Sequence, residues 1–310
     1  MRTVVLFGGT GFIGRNLAAH LAAAGDSVIT VSRSGAPAEG AQKNYSIAGL
    51  RDIGAIPPNS FLINVAAHRY DASNFLAGQS EIIVRNAELY GLAYQFAVEH
   101  GIKEVRSASS VAVYPAELTI MDDRAPIDLN GPPHEREAFY AWSKRWGEIL
   151  AGLYRQRYGI NTISLRLSNP YGPHDSTDVK NAHVLPAFVM KALSKSPEFE
   201  IMGNPDASRD FIFVRDVCLA FEKSLALSGR TEAFNLCTGT QTTLKELAET
   251  AMKLVGKTKP IKLIGDSTQG VARRISTGDL IKEELQIPRW TKFEEGLAIT
   301  IDWYRHALEQ

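Results

Sequence analysis

The chain has 310 residues, and its 34 lysine and arginine residues balance its 34 aspartate and glutamate residues. This balance excludes the broad basic field that attracts nucleic acid or an anionic membrane surface. The only cysteines, Cys218 and Cys237, lie in apolar runs and indicate neither a disulfide framework nor a metal site, which favours a cytoplasmic setting. No segment reaches about 18 consecutive apolar residues, so we expect no membrane span. We expect no signal peptide either.

Short β-branched runs alternate with amphipathic stretches through the first half of the chain. In order they read TVVLF, RNLAAHLAAAG, SVITVS, FLINVAA, AELYGLAYQFAVEHG, EVRSASSVAVY, a helix near 137 to 158, and NTISLRL. This alternation predicts βαβ units and a parallel sheet. After Leu167 the rhythm loosens, and VLPAFVMKALSK, FIFV and LKELAETAMKLVG predict a helix, a short strand and a second helix.

The first strand leads into GGTGFIG, which opens an amphipathic helix. Glycines at this spacing let backbone N–H groups and the helix N-terminus approach a pyrophosphate. The position at the first strand-to-helix turn makes the motif specific for a dinucleotide. We expect cofactor contacts from the motif and from neighbouring strand ends: Gly8, Gly11, Phe12, Ile13, Gly14, Ser32, Arg33 and Ala66.

The second strand ends in ITVSRSG, with Ser32 and Arg33 where a carboxylate usually binds the ribose 2′-hydroxyl of NAD. A guanidinium at this point suits a 2′-phosphate through charge-assisted hydrogen bonds. The sequence therefore favours NADP(H), and NAD remains the alternative if Arg33 is only a solvated loop residue.

These elements predict an α/β fold with a Rossmann-type doubly wound parallel sheet and a smaller C-terminal substrate-binding lobe. We assign residues 1–167 and about 211–237 to the dinucleotide-binding domain. Residues from about 168 to 210, together with 238–310, form the predicted lobe.

Tyr140 and Lys144, in FYAWSK, lie four residues apart on a predicted helix, so their side chains share a face. An ammonium beside a phenol lowers the pKa of the phenol toward the range needed for proton transfer. Upstream, SASSVAVYP predicts a strand that ends in hydroxyls, and Ser110 is placed to hydrogen-bond a substrate carbonyl.

With GGTGFIG before this cluster and RLSNPYGP and SRDFIFVRDV after it, the sequence resembles the extended short-chain dehydrogenase/reductase family, also called the NAD-dependent epimerase/dehydratase family. The resemblance implies that Tyr140 is the acid/base, Lys144 its activator and ribose clamp, and Ser110 the carbonyl donor. It also implies that Tyr140 and Lys144 both contact the cofactor. In the family the catalytic hydroxyl lies four residues before a strand-end tyrosine. That tyrosine is Tyr114 here, so Ser110 is preferred to Ser109.

The resemblance also implies that Asn169 and Arg209 contact the diphosphate of a nucleotide-sugar substrate. Their residue types leave other interpretations open: Arg209 could pair with Asp210 on the surface, and Asn169 could be a turn residue.

The stretch YGPHDSTDVKNAHVLPA resembles that of the GDP-fucose synthases, a branch of this family. By this match His183 faces the substrate, while Lys191 and Arg273, with Arg274 as the alternative, contact its phosphates. His174 is interpreted as a turn residue. Those enzymes epimerise C3 and C5 of their substrate with a cysteine two residues after the catalytic serine. Ala112 stands at that position, so we expect reduction without epimerisation.

The favoured hypothesis is the NADPH-dependent reduction of the C4 keto group of a nucleotide-activated 4-keto-6-deoxysugar. One alternative is a nucleotide-sugar 4-epimerase that holds NAD tightly, and another is a non-catalytic NADP-binding protein. In the family two helices, here near 82 to 99 and 137 to 158, pair across a two-fold axis, so the resemblance implies a homodimer.

Overall fold

The computed structural model describes residues 1–68, 79–125, 127–179, 182–265 and 275–309. The strands of this part of the chain are β1 (Thr3–Phe7), β2 (Ser27–Ser32), β3 (Lys43–Ser46), β4 (Phe61–Asn64), β5 (Glu104–Ser110), β6 (Ile120–Met121), β7 (Asn161–Leu167), β8 (Asn169–Tyr171), β9 (Phe199–Met202), β10 (Ser208–Arg209), β11 (Phe211–Phe213), β12 (Glu232–Leu236), β13 (Thr242–Thr243), β14 (Ile261–Ile264) and β15 (Ile275–Ser276). Its α-helices are α1 (Phe12–Ala23), α2 (Gln79–Glu99), α3 (Ala138–Tyr158), α4 (Val184–Leu193), α5 (Val214–Ser224), α6 (Leu244–Val255), α7 (Asp279–Glu284) and α8 (Phe293–Ala307).

Seven strands form one parallel sheet in the order β12, β7, β5, β4, β1, β2, β3. The chain winds outward from β1 through β2 and β3, and then crosses back to continue from β4 in the other direction. This reversal between β1 and β4 opens a crevice at the carboxyl ends of the strands, where doubly wound proteins bind ligands. The predicted Rossmann-type fold is confirmed.

Helices cover both faces of this sheet. Helices α1 and α5 pack together on one face, and α2 and α3 pack together on the other. Because side chains alternate along a strand, Val4 and Leu6 enter the core on the first face, whereas Val5 and Phe7 enter the core on the second. Burial on both faces explains why the strands read as nearly continuous apolar runs.

The later part of the chain packs α4, α6 and α8 together beside the sheet. Strands β9 and β14 pair in parallel at the edge of this lobe. The chain returns to the main sheet at β12, which pairs with β7. The division into two domains at the stated boundaries stays a prediction.

Cys218 and Cys237 are buried free thiols, and burial raises the pKa of both. No helix in the described ranges is both long and apolar enough to cross a bilayer.

Candidate active site

A cleft of about 1420 Å³ opens at the carboxyl ends of the central strands. It brings together the glycine motif, the end of β2, the end of β5, the start of α3 and part of the later lobe. The predicted residues that line it are Gly8, Gly11, Phe12, Ile13, Gly14, Ser32, Arg33, Ala66, Ser110, Tyr140, Lys144, Asn169, His183 and Arg209.

Two glycines of the motif are required by close backbone contacts. Gly8 has a φ of 92°, and a Cβ there would lie 2.7 Å from the backbone nitrogen of Ala66. A Cβ on Gly14 would lie 2.0 Å from the carbonyl oxygen of Gly8. The absence of side chains lets the N-terminus of α1 approach the strand ends closely, which suits a pyrophosphate.

Ser32 and Arg33 differ in exposure at the end of β2. The Ser32 hydroxyl is buried and accepts a hydrogen bond from the Gly35 N–H at 3.0 Å. Arg33 is exposed at the cleft rim, and its guanidinium makes no hydrogen bond or ion pair to another described residue. A solvated cation at this point is available to an anionic ligand.

Helix α3 places Tyr140 one turn before Lys144. Lys144 is only 2% exposed, and its Nζ lies 5.4 Å from the centroid of the Tyr140 ring. The ammonium donates to the Ala108 carbonyl at 2.9 Å and to the Tyr90 hydroxyl at 3.1 Å. These contacts come from β5 and α2, so three elements fix the position of the charge.

The neighbouring serines at the end of β5 have different partners. The Ser110 hydroxyl accepts a hydrogen bond from the Ala112 N–H at 3.1 Å and caps a 3₁₀ turn at Val111–Val113. The Ser109 hydroxyl donates to Glu148 at 2.6 Å, so its proton is committed away from a substrate. The geometry therefore favours Ser110 over Ser109 as a donor to a substrate carbonyl.

The strand predicted over EVRSASSVAVY is shorter in the structure. It ends at Ser110, because the serine hydroxyl turns back on the chain and starts the 3₁₀ turn.

Asn169 and Arg209 line the cleft from β8 and β10. The Asn169 amide donates to the Asp210 carbonyl oxygen at 2.9 Å, and one Arg209 nitrogen donates to the Ser208 carbonyl oxygen. The Asp210 carboxylate instead accepts from Ser168, Thr238 and Gly239. Arg209 and Asp210 therefore do not form the ion pair that the sequence left open.

Two histidines reach the cleft: His174 in the YGPHD segment and His183 just before α4. His183 precedes α4, is about half exposed, and has its Nδ1 3.6 Å from the Asp175 carboxylate. His174 adopts a left-handed turn with a φ of 68° and packs against Trp303. Burial lowers the pKa of His174, assisted by the charge of Arg15.

One of the predicted phosphate contacts, Lys191, is not brought to this cleft. Lys191 is absent from its lining and donates to the Glu200 carbonyl oxygen at 2.8 Å. Burial also lowers the pKa of Lys191. Arg273 and Arg274 lie outside the described residues.

The sequence did not single out two contacts behind the cleft. One is Tyr90, which reaches Lys144 from α2. The other is the pair of Glu148 and the buried Arg166, whose side chains are joined by two hydrogen bonds of 2.9 and 2.7 Å. Glu148 lies four residues after Lys144 and therefore on the same face of the helix. This spacing is the sequence feature that could have identified Glu148. Within the described ranges no three His, Cys, Asp or Glu side chains are grouped to hold a metal ion.

The sheet order and the glycine cradle define a Rossmann-type dinucleotide-binding protein. The sequence model of the NAD dependent epimerase/dehydratase family matches residues 4–237, and the chain belongs to this family.

Several characterised proteins are similar to this chain. It is 29% identical to a dTDP-4-dehydro-6-deoxy-D-allose reductase from Streptomyces sp. over 98% of this chain and 96% of the relative. It is 27% identical to a GDP-L-fucose synthase from Sinorhizobium fredii over 71% of this chain and 70% of the relative. The fold is similar to that of a UDP-glucose 4-epimerase from Thermotoga maritima, with a TM-score of 0.82, 24% identity and 99% coverage of both chains.

Proposed function

We propose that the protein reduces the C4 keto group of a nucleotide-activated 4-keto-6-deoxysugar with NADPH and does not epimerise C3 or C5. The observation that carries the proposal is the convergence of Tyr140, Lys144 and Ser110 on the cleft that also holds the glycine motif. The full-length similarity to dTDP-4-dehydro-6-deoxy-D-allose reductases supports a keto-sugar substrate.

The proposed chemistry assigns one task to each side chain. A reduced nicotinamide, when bound, supplies the hydride for carbonyl reduction. Ser110 holds the carbonyl oxygen by a hydrogen bond, which stabilises the negative charge that develops on it. Tyr140 donates a proton to that oxygen, and the nearby Lys144 ammonium favours the negative charge left on the phenol.

The residues of the cleft fit a dinucleotide at both of its charged regions. Gly8 and Gly14 provide the close approach needed at the pyrophosphate. Arg33 provides a guanidinium at the end of β2 that has no partner among the described residues, which supports NADP(H) over NAD.

Asn169 and Arg209 are the proposed contacts for the substrate diphosphate. Arg209 is free of Asp210, and a guanidinium matches phosphate geometry. His183 is proposed to orient the sugar by hydrogen bonding. The position of Lys191 on the Glu200 carbonyl oxygen gives no support to its predicted phosphate contact.

The side chain of Ala112 has no group that takes up a proton, although it lines the cleft. This supports reduction without epimerisation. Reduction carried out in deuterated water tests the point, because inversion through C3 or C5 exchanges the hydrogen on those carbons. We expect mass spectrometry to find no deuterium there, and its incorporation at C3 or C5 would contradict this part of the proposal.

The experiment that tests the reaction uses the purified protein, NADPH, and dTDP- and GDP-linked 4-keto-6-deoxysugars. We expect loss of NADPH absorbance together with a product alcohol at C4. Absorbance of the protein before cofactor is added checks the alternative, because stoichiometric bound NAD and no net NADPH consumption would indicate a 4-epimerase instead.

We also propose that the active protein is a homodimer. Trp142, Trp146, Ile149 and Leu153 are 40 to 51% exposed and follow one face of α3. A contiguous exposed apolar stripe of this kind is typical of an interaction surface. Because α2 packs alongside α3, two copies of this helix pair can meet face to face.

A further inference from the structure

Tyr90 does not line the cleft, but its hydroxyl contacts both the Lys144 ammonium and the Ala108 carbonyl behind it. The Lys144 Nζ lies 3.1 Å from the Tyr90 oxygen and 2.9 Å from the Ala108 carbonyl oxygen. The Tyr90 hydroxyl also donates to the Ala108 carbonyl oxygen at 2.9 Å. The three atoms form a triangle that joins α2, β5 and α3.

The chemistry of the three groups fixes the direction of each hydrogen bond. An ammonium only donates and a carbonyl only accepts, so the Tyr90 oxygen accepts from Lys144 while its proton goes to Ala108. Burial raises the pKa of Tyr90 well above its ordinary value, so the phenol stays protonated and keeps this orientation.

The Tyr90 ring reaches this position because residue 147 is glycine. A Cβ on Gly147 would lie 2.6 Å from two carbons of the ring. Tyr90 is 2% exposed, and the Lys144 Nζ lies 5.3 Å from the ring centroid. The ring is therefore wedged between α2 and α3 with its hydroxyl toward the ammonium.

We propose that Tyr90 is a positioning residue that holds the Lys144 ammonium in place beside Tyr140. The inference rests on the proposed function, in which Lys144 supports Tyr140, and on the predicted contact of Lys144 with the cofactor ribose. Without the Tyr90 oxygen the ammonium keeps its bond to Ala108 on β5 but loses its fixed point on α2. Its charge then occupies a wider range of positions relative to the reacting oxygen.

Tyr90→Phe tests the proposal, since it removes one oxygen and retains the ring. Tyr94→Phe is the matched control, because Tyr94 lies one turn later on α2, is also 2% exposed, and has its hydroxyl 3.1 Å from Thr162 Oγ1. Tyr94 is not part of the cleft lining. Tyr90→Phe loses two buried hydrogen bonds and Tyr94→Phe loses one, so both should melt a few degrees below the wild type, with Tyr90→Phe the lower of the two.

The kinetic results should separate the two variants. Tyr90→Phe should lower kcat about tenfold and raise the Kd of NADPH severalfold, while the KM of the sugar changes by less than about twofold. Tyr94→Phe should leave all three values within about twofold of the wild type. Gly147→Ala displaces the Tyr90 ring but keeps its hydroxyl, so it should impair kcat and NADPH binding in the same direction, and it serves as the test if Tyr90→Phe folds poorly.

Equal kcat and Kd values for Tyr90→Phe and Tyr94→Phe would overturn the proposal, because they would leave Tyr90 with a structural role alone. The Kd is measured without sugar, with NADPH or NADH according to which binds the wild type more tightly. A wild type that reduces no keto sugar therefore defeats the proposed function, while the binding comparison still decides the role of Tyr90.

Discussion

Tyr140 is the group on which the proposed proton transfer depends, and it is partly exposed to the cleft. Tyr140→Phe removes the proton donor and retains the ring, so we expect kcat to fall by about 10² to 10⁴ with little change in the Kd of NADPH. Steady-state kinetics measure kcat, and fluorescence titration measures the Kd of NADPH. Turnover close to that of the wild type would remove Tyr140 from the mechanism.

Arg33 governs cofactor choice in the proposal because its guanidinium is unpaired among the described residues. Arg33→Ser should weaken NADPH binding by about 1.5 to 3 kcal/mol, the range for hydrogen bonds to charged groups, and leave NADH binding nearly unchanged. The ratio of kcat/KM values for the two cofactors reports the difference. An unchanged ratio would mean that Arg33 remains in solvent when the cofactor binds.

The site residues that the sequence predicts are those whose roles follow from short-range spacing along the chain. The glycines lie on one turn, and Tyr140 and Lys144 lie four residues apart on one helix. Tyr90 was missed because it is 54 residues from Lys144, and it reads only as one more apolar residue of an amphipathic helix. Lys191 was predicted by resemblance, but the last turn of α4 lies where its ammonium reaches the Glu200 carbonyl oxygen.

Helix α3 is joined to the sheet at a second point, one turn beyond Lys144. Glu148 accepts from Ser109 on β5 and forms a bidentate pair with Arg166 on β7. Burial alone lowers the pKa of Arg166, but the hydrogen bonds and charge of Glu148 raise it above its ordinary value. The helix that carries Tyr140 is thus held against the strand that carries Ser110.

Glu148→Gln should weaken this connection, because it leaves the Arg166 guanidinium without its counter-charge. We expect a loss of about 3 kcal/mol in the free energy of unfolding, together with a lower kcat as α3 and β5 lose their relative position. Urea unfolding and steady-state kinetics provide the two measurements.

Glu104→Gln is the matched control for this change. Glu104 pairs with the buried Arg106 at the other end of β5 and does not line the cleft. It should lower stability and leave kcat nearly unchanged. If Glu148→Gln also leaves kcat unchanged, the pair serves stability alone.

The whole molecule presents an apolar stripe on α3 that the proposed dimer would cover. The double variant Trp146→Glu and Ile149→Lys places charges in this stripe and should give a monomer by light scattering after size exclusion. Arg155→Glu, an exposed position on the opposite side of α3, should not change the mass. A wild type that is itself monomeric at high concentration would contradict the proposal.

The stability of the whole chain should depend on pH through two histidines. Burial lowers the pKa of His20 and of His174 from the ordinary value of 6.5. The unfolded chain therefore takes up these protons at a higher pH than the folded protein does. Stability is fully present above pH 6.5 and falls as pH drops below it, until the folded histidines are also protonated.

Urea midpoints between about pH 5 and 7.5 measure this slope, to which each histidine contributes at most about 1.4 kcal/mol per pH unit. Burial raises the pKa of Asp123, Asp210 and Asp216 from the ordinary value of 3.8. These carboxyl groups therefore make stability fall as pH rises above 3.8, which is the opposite of the histidine effect. His20→Gln isolates one histidine and should reduce the slope. An unchanged slope would show that His20 titrates alike in both states.

The architecture was predictable because alternation of strands and helices leaves few arrangements for a parallel sheet. The pairing of the short strands in the later lobe was not predictable from sequence, because two-residue elements such as β10 and β13 have no periodicity to detect. Their pairing depends on contacts between segments more than 30 residues apart.

The end of β5 acts as an alignment reference for the whole site. The Ala108 carbonyl accepts from Lys144, the Ser109 hydroxyl donates to Glu148, and Ser110 lines the cleft, so three consecutive residues have three different roles. A one-residue insertion earlier in β5 would bring Ser109 to the place of Ser110 and Ala108 to the place of Ser109. The cleft would keep a hydroxyl while Glu148 lost its own, so new substrate preferences are more accessible through the surrounding loops than through this strand.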